Sequence, residues 1–388
     1  MSRKISSGTS SRFKIIVCAI ITFLTIIFLK NVSSSLNGYI KNAGDNDFIT
    51  TVKIPVNNGT AESKESIIVL DNDNICPQSL AINAANNHTP PQALIPHDEL
   101  LHIVKYWHDF NCPQQKTCQF GSIGQHLLHI AMKRNQTLLT VQVGAMDGYS
   151  NDPMYHMFFE TKGKNYVQAR EGGGERGSYF SDLRNWLPVM IEPVPKNFED
   201  LKETYLKIAN DGGLGCAVPI NAVVSYDDST KTTCPFCRFN TADDSPDFCK
   251  NEPDWVKFQI GTLDCGYSES RGKELFDMCI LQDPLPCSSL VKLLSDKFVP
   301  AEHIAMLQID IEGYEYILFD GLLKEMPDKS LPLVIHFEHK VMKYQDEYYP
   351  LVNRTSRMDQ AKQLLSSRGY HFYDEGEDYL ALRLDMNQ

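Results

Sequence analysis

Apolar residues in the C-terminal two-thirds of the chain gather into short, mostly apolar runs, each closed by a glycine, a proline or a polar residue. Between them lie longer stretches where apolar positions recur every three or four residues. The runs at 138–143, 188–191, 217–224, 304–309 and 333–337 read as strands buried on both faces. The stretches at 195–208, 314–325 and 359–368 carry helical spacing. Strands alternating with helices form parallel βαβ units, so the pattern predicts an α/β fold. Runs at 370–373 and 379–384 flank a turn at 374–378, which predicts a C-terminal antiparallel hairpin. Upstream of the first strand, residues 97–110 and a stripe of Ile123, Leu127, Leu128, Ile130 and Ala131 predict a helical lead-in over 97–137. Cys112 and Cys118 fall in a loop at 111–121 between its two helices.

The N-terminus follows another pattern. Residues 15–29 are uninterruptedly apolar, led by Arg3, Lys4, Arg12 and Lys14 and closed by Lys30. Because a basic flank stays in the cytosol, this predicts a transmembrane signal anchor at 15–30 behind a cytosolic tail at 1–14. A signal peptide cleaved near 32–35 is the alternative. Residues 31–96, rich in Asn, Ser, Ala and Pro with little periodicity, read as a flexible lumenal stem. The chain is thus expected to be a single-pass type II membrane protein, its body in the secretory-pathway lumen (Golgi or endoplasmic reticulum) or outside the cell. Sequons at Asn31, Asn58, Asn87, Asn135 and Asn353, and ten cysteines beyond the apolar run, agree with an oxidising, glycosylating compartment.

Composition narrows the partners. At 388 residues, 42% hydrophobic and 22% charged, the chain has material for a large globular core. Its net charge of −12 argues against nucleic acid, whose binding relies on a basic surface. Small molecules, glycans and proteins remain as partners, and the oligomeric state is open. Cys234 and Cys237, followed by Cys249 and Cys265, have spacing compatible with zinc ligation or with disulfides; an oxidising lumen favours disulfides. The glycines of 171–177 lack the Lys-Ser/Thr of a phosphate loop and read as a mobile surface loop.

Candidate chemistry sits where the strand runs end. Gly144, Asp147 and Gly148 follow the first run in a tight turn that lets a cofactor approach the backbone, although such a turn serves packing as readily. Glu192 closes the second run, where an acid accepts hydrogen bonds from ribose hydroxyls; a helix-start carboxylate is the alternative. Asn221, late in the third run, is placed to read an adenine edge or to close a turn. Asp310 and Glu312 follow the fourth run. Two carboxylates this close raise one another's pKa, so one suits a general base, while Asp310 also suits helix capping. His336, Glu338 and His339 close the fifth run and complete a polar cluster that is also a candidate holder of a divalent cation.

With VQVGAMDGYSNDP, VMIEPVPKNFEDL, INAVVS, LQIDIEGYEYILFDG and LVIHFEH in this order, the chain resembles the FkbM family of S-adenosylmethionine-dependent methyltransferases over 138–384. The Glu-Pro pair at Glu192 and Pro193 and the Asp-x-Glu-Gly from Asp310 to Gly313 are the most specific parts. The resemblance implies a class I methyltransferase sheet of order 3-2-1-4-5-7-6 within a domain at 138–388, and methyl transfer, usually to a hydroxyl oxygen. It also implies S-adenosyl-L-methionine contacts at Gly144, Gly148 and Glu192, with Asp310 and Glu312 as the catalytic neighbourhood; Asp310, or a neutral His336, would take the hydroxyl proton. Two segments depart from the pattern: an insertion near 161–185, and one near 230–288 that holds most of the cysteines and a candidate extra strand at 255–260. The expected activity is O-methylation of a glycan or other hydroxyl-bearing acceptor. Two alternatives stand beside it: a membrane-anchored adaptor or trafficking protein that keeps the fold without turnover, and a glycosyltransferase. The latter's Asp-x-Asp is matched only by Asp71 and Asp73 in the stem.

Overall fold

The structure, a computed structural model, describes residues 118–384 apart from 150–151, 162–175, 179–182, 212–213, 215, 227–230, 242–244, 254–255, 258–260, 264, 266–276 and 349–354. It also describes Thr50–Lys53 and Ile67–Leu70, which pair as a two-stranded sheet within the expected stem. The rest of the stem, the anchor and the helix expected at 97–110 lie outside the described residues. Among those described, no helix is long and apolar enough to cross a membrane.

Helix α1 (Cys118–Arg134) leads into β1 (Leu138–Val143), α2 (Pro153–Phe158), β2 (Trp186–Ile191), α3 (Pro195–Asp211) and β3 (Val218–Ile220). Beyond β3 come β4 (Val223–Val224) and then, within the insertion, β5 (Thr233–Phe239), β6 (Gly261–Thr262) and β7 (Ile280–Ser288). The chain returns to the main body with α4 (Leu290–Asp296), β8 (Met306–Ile309), α5 (Glu315–Glu325) and β9 (Val334–Glu338). It closes with α6 (Lys340–Tyr348), α7 (Arg357–Ser366), β10 (Tyr370–Asp374) and β11 (Asp378–Arg383).

The main sheet runs β10-β11-β9-β8-β1-β2-β3. Counted along the chain within that sheet, this is the expected order 3-2-1-4-5-7-6. Neighbours from β9 to β3 pair in parallel, whereas β11 runs antiparallel to both β9 and β10. The mostly apolar runs follow from burial on both faces. Leu139, Val141, Val143, Leu187, Val189, Ile191, Leu307, Ile309, Ile335 and Phe337 pack on one side with α4, α5 and α7. Leu138, Trp186, Met190, Met306 and Val334, the alternate positions, pack on the other with α1, α2 and α3. A one-residue slip in any central strand would exchange these sets, so the register is firmly specified.

Three local expectations are corrected. Cys118 opens α1 rather than lying in a loop before it. The third run does not form one strand: Asn221 spends its amide on the carbonyls of Glu192 and Pro193, and Val223–Val224 leave the main sheet to pair in parallel with β7. In the candidate strand at 255–260, Val256 and Lys257 are helical, and the strand comes next, at Gly261–Thr262.

The insertion is a four-stranded sheet of order β6-β5-β7-β4, which therefore grows from the chain just beyond β3. Its cysteines form disulfides, Cys234–Cys287, Cys237–Cys265 and Cys249–Cys279, so the zinc alternative fails: the four spaced cysteines belong to three different bridges. A small apolar cluster such as Phe239, Cys249, Val256 and Cys279 supplies little core of its own, and crosslinks make up for that. In the other insertion, Phe159–Thr161 and Arg176–Ser178 pair antiparallel.

Candidate active site

Two parallel strand ends meet at Gly144. Its φ of +82° is one L side chains seldom adopt, and a Cβ there would lie 1.8 Å from the backbone oxygen of Asp310. The glycine therefore lets the turn after β1 and the loop after β8 touch, joined also by the amide of Asp310 donating to the Val143 carbonyl at 2.9 Å. Gly148 (φ +65°) serves packing too: a Cβ would meet Leu201 and Tyr205 of α3.

Glu192 ties this turn to β2. The amide of Met146 donates to its Oε2 at 2.8 Å and that of Val194 to its Oε1 at 2.9 Å, so one carboxylate fixes the glycine turn and the entry to α3 together. Burial raises its pKa to about 7, against the pull of Val194, Met146 and the Asn197 side chain. Met146, Val194 and Asn197 together use three of the carboxylate's roughly four acceptor sites, so the residue retains room for about one hydroxyl donor of a ribose. Asp147 accepts from the amide of Tyr149 at 3.0 Å inside the same turn. Asn221 donates to the Glu192 and Pro193 carbonyls, leaving Oδ1 as the part of its amide available for an adenine.

Across Gly144 the chemistry changes. Carboxylate oxygens of Asp310, Glu312 and Glu338 lie within 4.8 Å of one another, Asp310 exposed and the other two half-buried. Crowding by protein raises the Asp310 carboxyl above the usual range although solvent reaches one side of it. Asp378 adds to the rise, and His336 and Lys340 oppose it. Glu338 is raised by burial and then by Asp310, Glu312, Glu315 and Asp378. The loop is unusual in its backbone as well, with φ of +56° at Glu312 and +96° at Gly313. An all-oxygen set of three carboxylates suits a hard divalent cation such as Mg²⁺, Mn²⁺ or Ca²⁺.

His336 is not presented with these groups. It is fully buried, its Nδ1 hydrogen-bonded to Gln308 Oε1, its Nε2 3.1 Å from Glu375 Oε2, and its ring stacked on Phe120 at 4.5 Å. The register explains this: Gln142, Gln308 and His336 are lateral neighbours on β1, β8 and β9, forming a buried polar row one step below the strand ends. The expected proton acceptor is in this arrangement a clamp that ties β9 to the β10–β11 turn and to α1.

Three participants escaped the sequence reading. Asp152 is buried and accepts the amides of Met154 and Tyr155 at the start of α2, and burial raises its pKa to about 7. The Asp-Pro pair before a short apolar stretch is a helix-start signal that would have found it. Glu315, fully buried in the first turn of α5, accepts the Ile311 amide at 3.1 Å and is pushed up to about 8 by burial. Thr262 lies in the insertion, where no local pattern points to the site.

The family model described as Methyltransferase FkbM domain matches residues 142–372, more than half of the chain. No curated protein matches. Among solved structures, an antibiotic-related methyltransferase is 14% identical, with 61% of this chain and 70% of that chain covered and a TM-score of 0.23. The CurJ carbon methyltransferase is 8% identical, with 79% and 67% covered and a TM-score of 0.31.

Proposed function

Because the chain belongs to the FkbM family of methyltransferases, we propose that it moves the methyl group of S-adenosylmethionine to a hydroxyl oxygen, with Asp310 as the base. The acceptor in this reading is a glycan or another hydroxyl-bearing molecule. The observation that carries it is the contact at Gly144, which sets the turn expected to hold the cofactor directly against the backbone of Asp310. Gly144, Asp147, Gly148, Glu192 and Asn221 would hold the cofactor, which supplies an electrophilic methyl on a positively charged sulfur. The chain's own part is to hold the acceptor oxygen in line and to receive its proton, and alignment of this kind accounts for much of the acceleration in such transfers. A carboxylate whose pKa is lifted toward neutrality by crowding is a stronger base than an ordinary aspartate, as general-base work at neutral pH demands. If a divalent cation takes part, Asp310, Glu312 and Glu338 are its holders. A secretory-lumen address, reached through the apolar segment at 15–30, belongs to the same reading and is supported by the three disulfides of the insertion.

The test is calorimetric titration of the full chain with S-adenosylmethionine, repeated with Glu192→Ala. Binding that the substitution weakens is expected. A folded wild-type protein that binds none would overturn the enzyme reading, and binding with no transfer to any hydroxyl acceptor would favour the non-catalytic adaptor.

A further inference from the structure

The insertion comes back to the site. Edge strand β6 pairs with β5 so that Thr262 faces Cys237 in register, and the Cys237–Cys265 disulfide crosslinks β5 to the residues just beyond β6. Gly261 fits closely between neighbours: a Cβ would lie 3.0 Å from the ring of Phe236 and 3.5 Å from the side chain of Val194, two residues after Glu192. Thr262 is 1% exposed and donates its hydroxyl to the backbone oxygen of Glu312 at 3.3 Å. This strand therefore touches both halves of the site, the chain beside Glu192 and the acidic loop.

The contact falls where the loop most needs support. Glu312 has a φ of +56°, sparsely populated for a residue with a side chain, and such a conformation persists when its surroundings hold it. Here one holder comes from a segment foreign to the parallel sheet. We propose that Thr262 is a positioning residue for the loop from Asp310 to Gly313. The Cys237–Cys265 bridge holds it in place, so the insertion sets the spacing of the acceptor-side carboxylates. The function assigned to that spacing rests on the methyl-transfer reading; the positioning itself does not.

The experiment is hydrogen exchange on the full chain, comparing wild type, Thr262→Val, Thr262→Ser and paired Cys237→Ser/Cys265→Ser, with calorimetric binding of S-adenosylhomocysteine alongside. Thr262→Val keeps the shape and removes the hydroxyl, so exchange at residues 311–314 should rise about tenfold while the amides of 194–198 stay unchanged. Thr262→Ser should restore protection, and the paired cysteine variant should behave like Thr262→Val. Unchanged exchange at 311–314 in Thr262→Val, or an equal rise throughout the domain, overturns the proposal. Unchanged exchange in the cysteine variant overturns the part given to the bridge. Failure of wild-type protein to bind S-adenosylhomocysteine would instead count against methyl transfer, leaving the exchange result to decide the positioning.

Discussion

On the β1–β2 side of the site the carboxylates of Asp147, Asp152 and Glu192 each accept backbone amides; on the β8–β9 side oxygens of Asp310, Glu312 and Glu338 lie within 4.8 Å of one another. Fixed amides oppose the rise that burial imposes on Asp152 and Glu192, although both still reach about 7. On the second side neighbouring carboxylates add to the effect of burial: Asp378 raises Asp310 further, and Asp310 and Glu312 raise Glu338. The first arrangement suits holding a ligand and the second suits reacting with one. The two are welded at Gly144.

The largest effect should come from the reactive half alone. Asp310→Asn keeps the size of the side chain and removes its basicity, so transfer of a labelled methyl group to a hydroxyl acceptor should fall about 10²–10⁴-fold. Affinity for S-adenosylmethionine, measured on the same protein, should change less than about twofold, because the holding half is untouched. A matching loss of affinity would show that the halves are not separable.

Gly144→Ala attacks the weld. The added Cβ meets the Asp310 carbonyl and imposes an unfavourable φ, which together should cost about 3 kcal/mol in urea unfolding, the sum of an overpacking penalty and a left-handed backbone penalty. Because the turn and the loop must separate to admit the methyl, cofactor binding and transfer should fail together. Survival of either alone would mean that the contact is incidental.

The sheet was legible in the sequence because its central strands are buried on both faces and leave mostly apolar runs with carboxylates and glycines at their ends. The order of those strands came from the family resemblance, and the pairing confirms it. What escaped reading lies across the chain rather than along it. His336 looks the same in sequence whether it faces a ligand or Gln308, and only the register between β8 and β9 decides. Thr262 is 50 residues from Glu312 and reaches it through a disulfide-bound sheet that no periodicity announces. The sequence shows an asparagine at 221 but not that its Nδ2 is spent on the carbonyls of Glu192 and Pro193, across the turn after β2.

Glu315→Gln sharpens the contrast through stability. Its carboxyl, near 4.5 when unfolded and about 8 when folded, stays protonated in the native state after the unfolded chain has released its proton. This stability is therefore fully present below pH 4.5 and is lost as pH rises through 8. Glutamine keeps an acceptor for the Ile311 amide and cannot ionise. The variant should match wild type near pH 4.5 and exceed it by up to about 5 kcal/mol above pH 8 in denaturant titrations. Equal slopes would mean that burial imposes no such cost on the carboxyl at this position.

The smallest effect tests the holding half. In the free protein the Glu192 carboxyl titrates at about 7, and hydroxyl donors of a ribose favour its ionised form. A bound nucleoside therefore draws the pKa down, and by linkage its affinity must rise with pH until the free protein is itself ionised. If the bound pKa falls well below 6, S-adenosylhomocysteine should bind about tenfold more tightly at pH 8 than at pH 6, measured calorimetrically. Glu192→Gln should flatten that slope. Asp152, which titrates in the same range, makes its backbone bonds within α2, so Asp152→Asn should leave the slope in place. A slope that survives in Glu192→Gln and vanishes in Asp152→Asn would move the ligand away from Glu192. The amides that Glu192 gathers would then belong to the folding of the turn rather than to the cofactor.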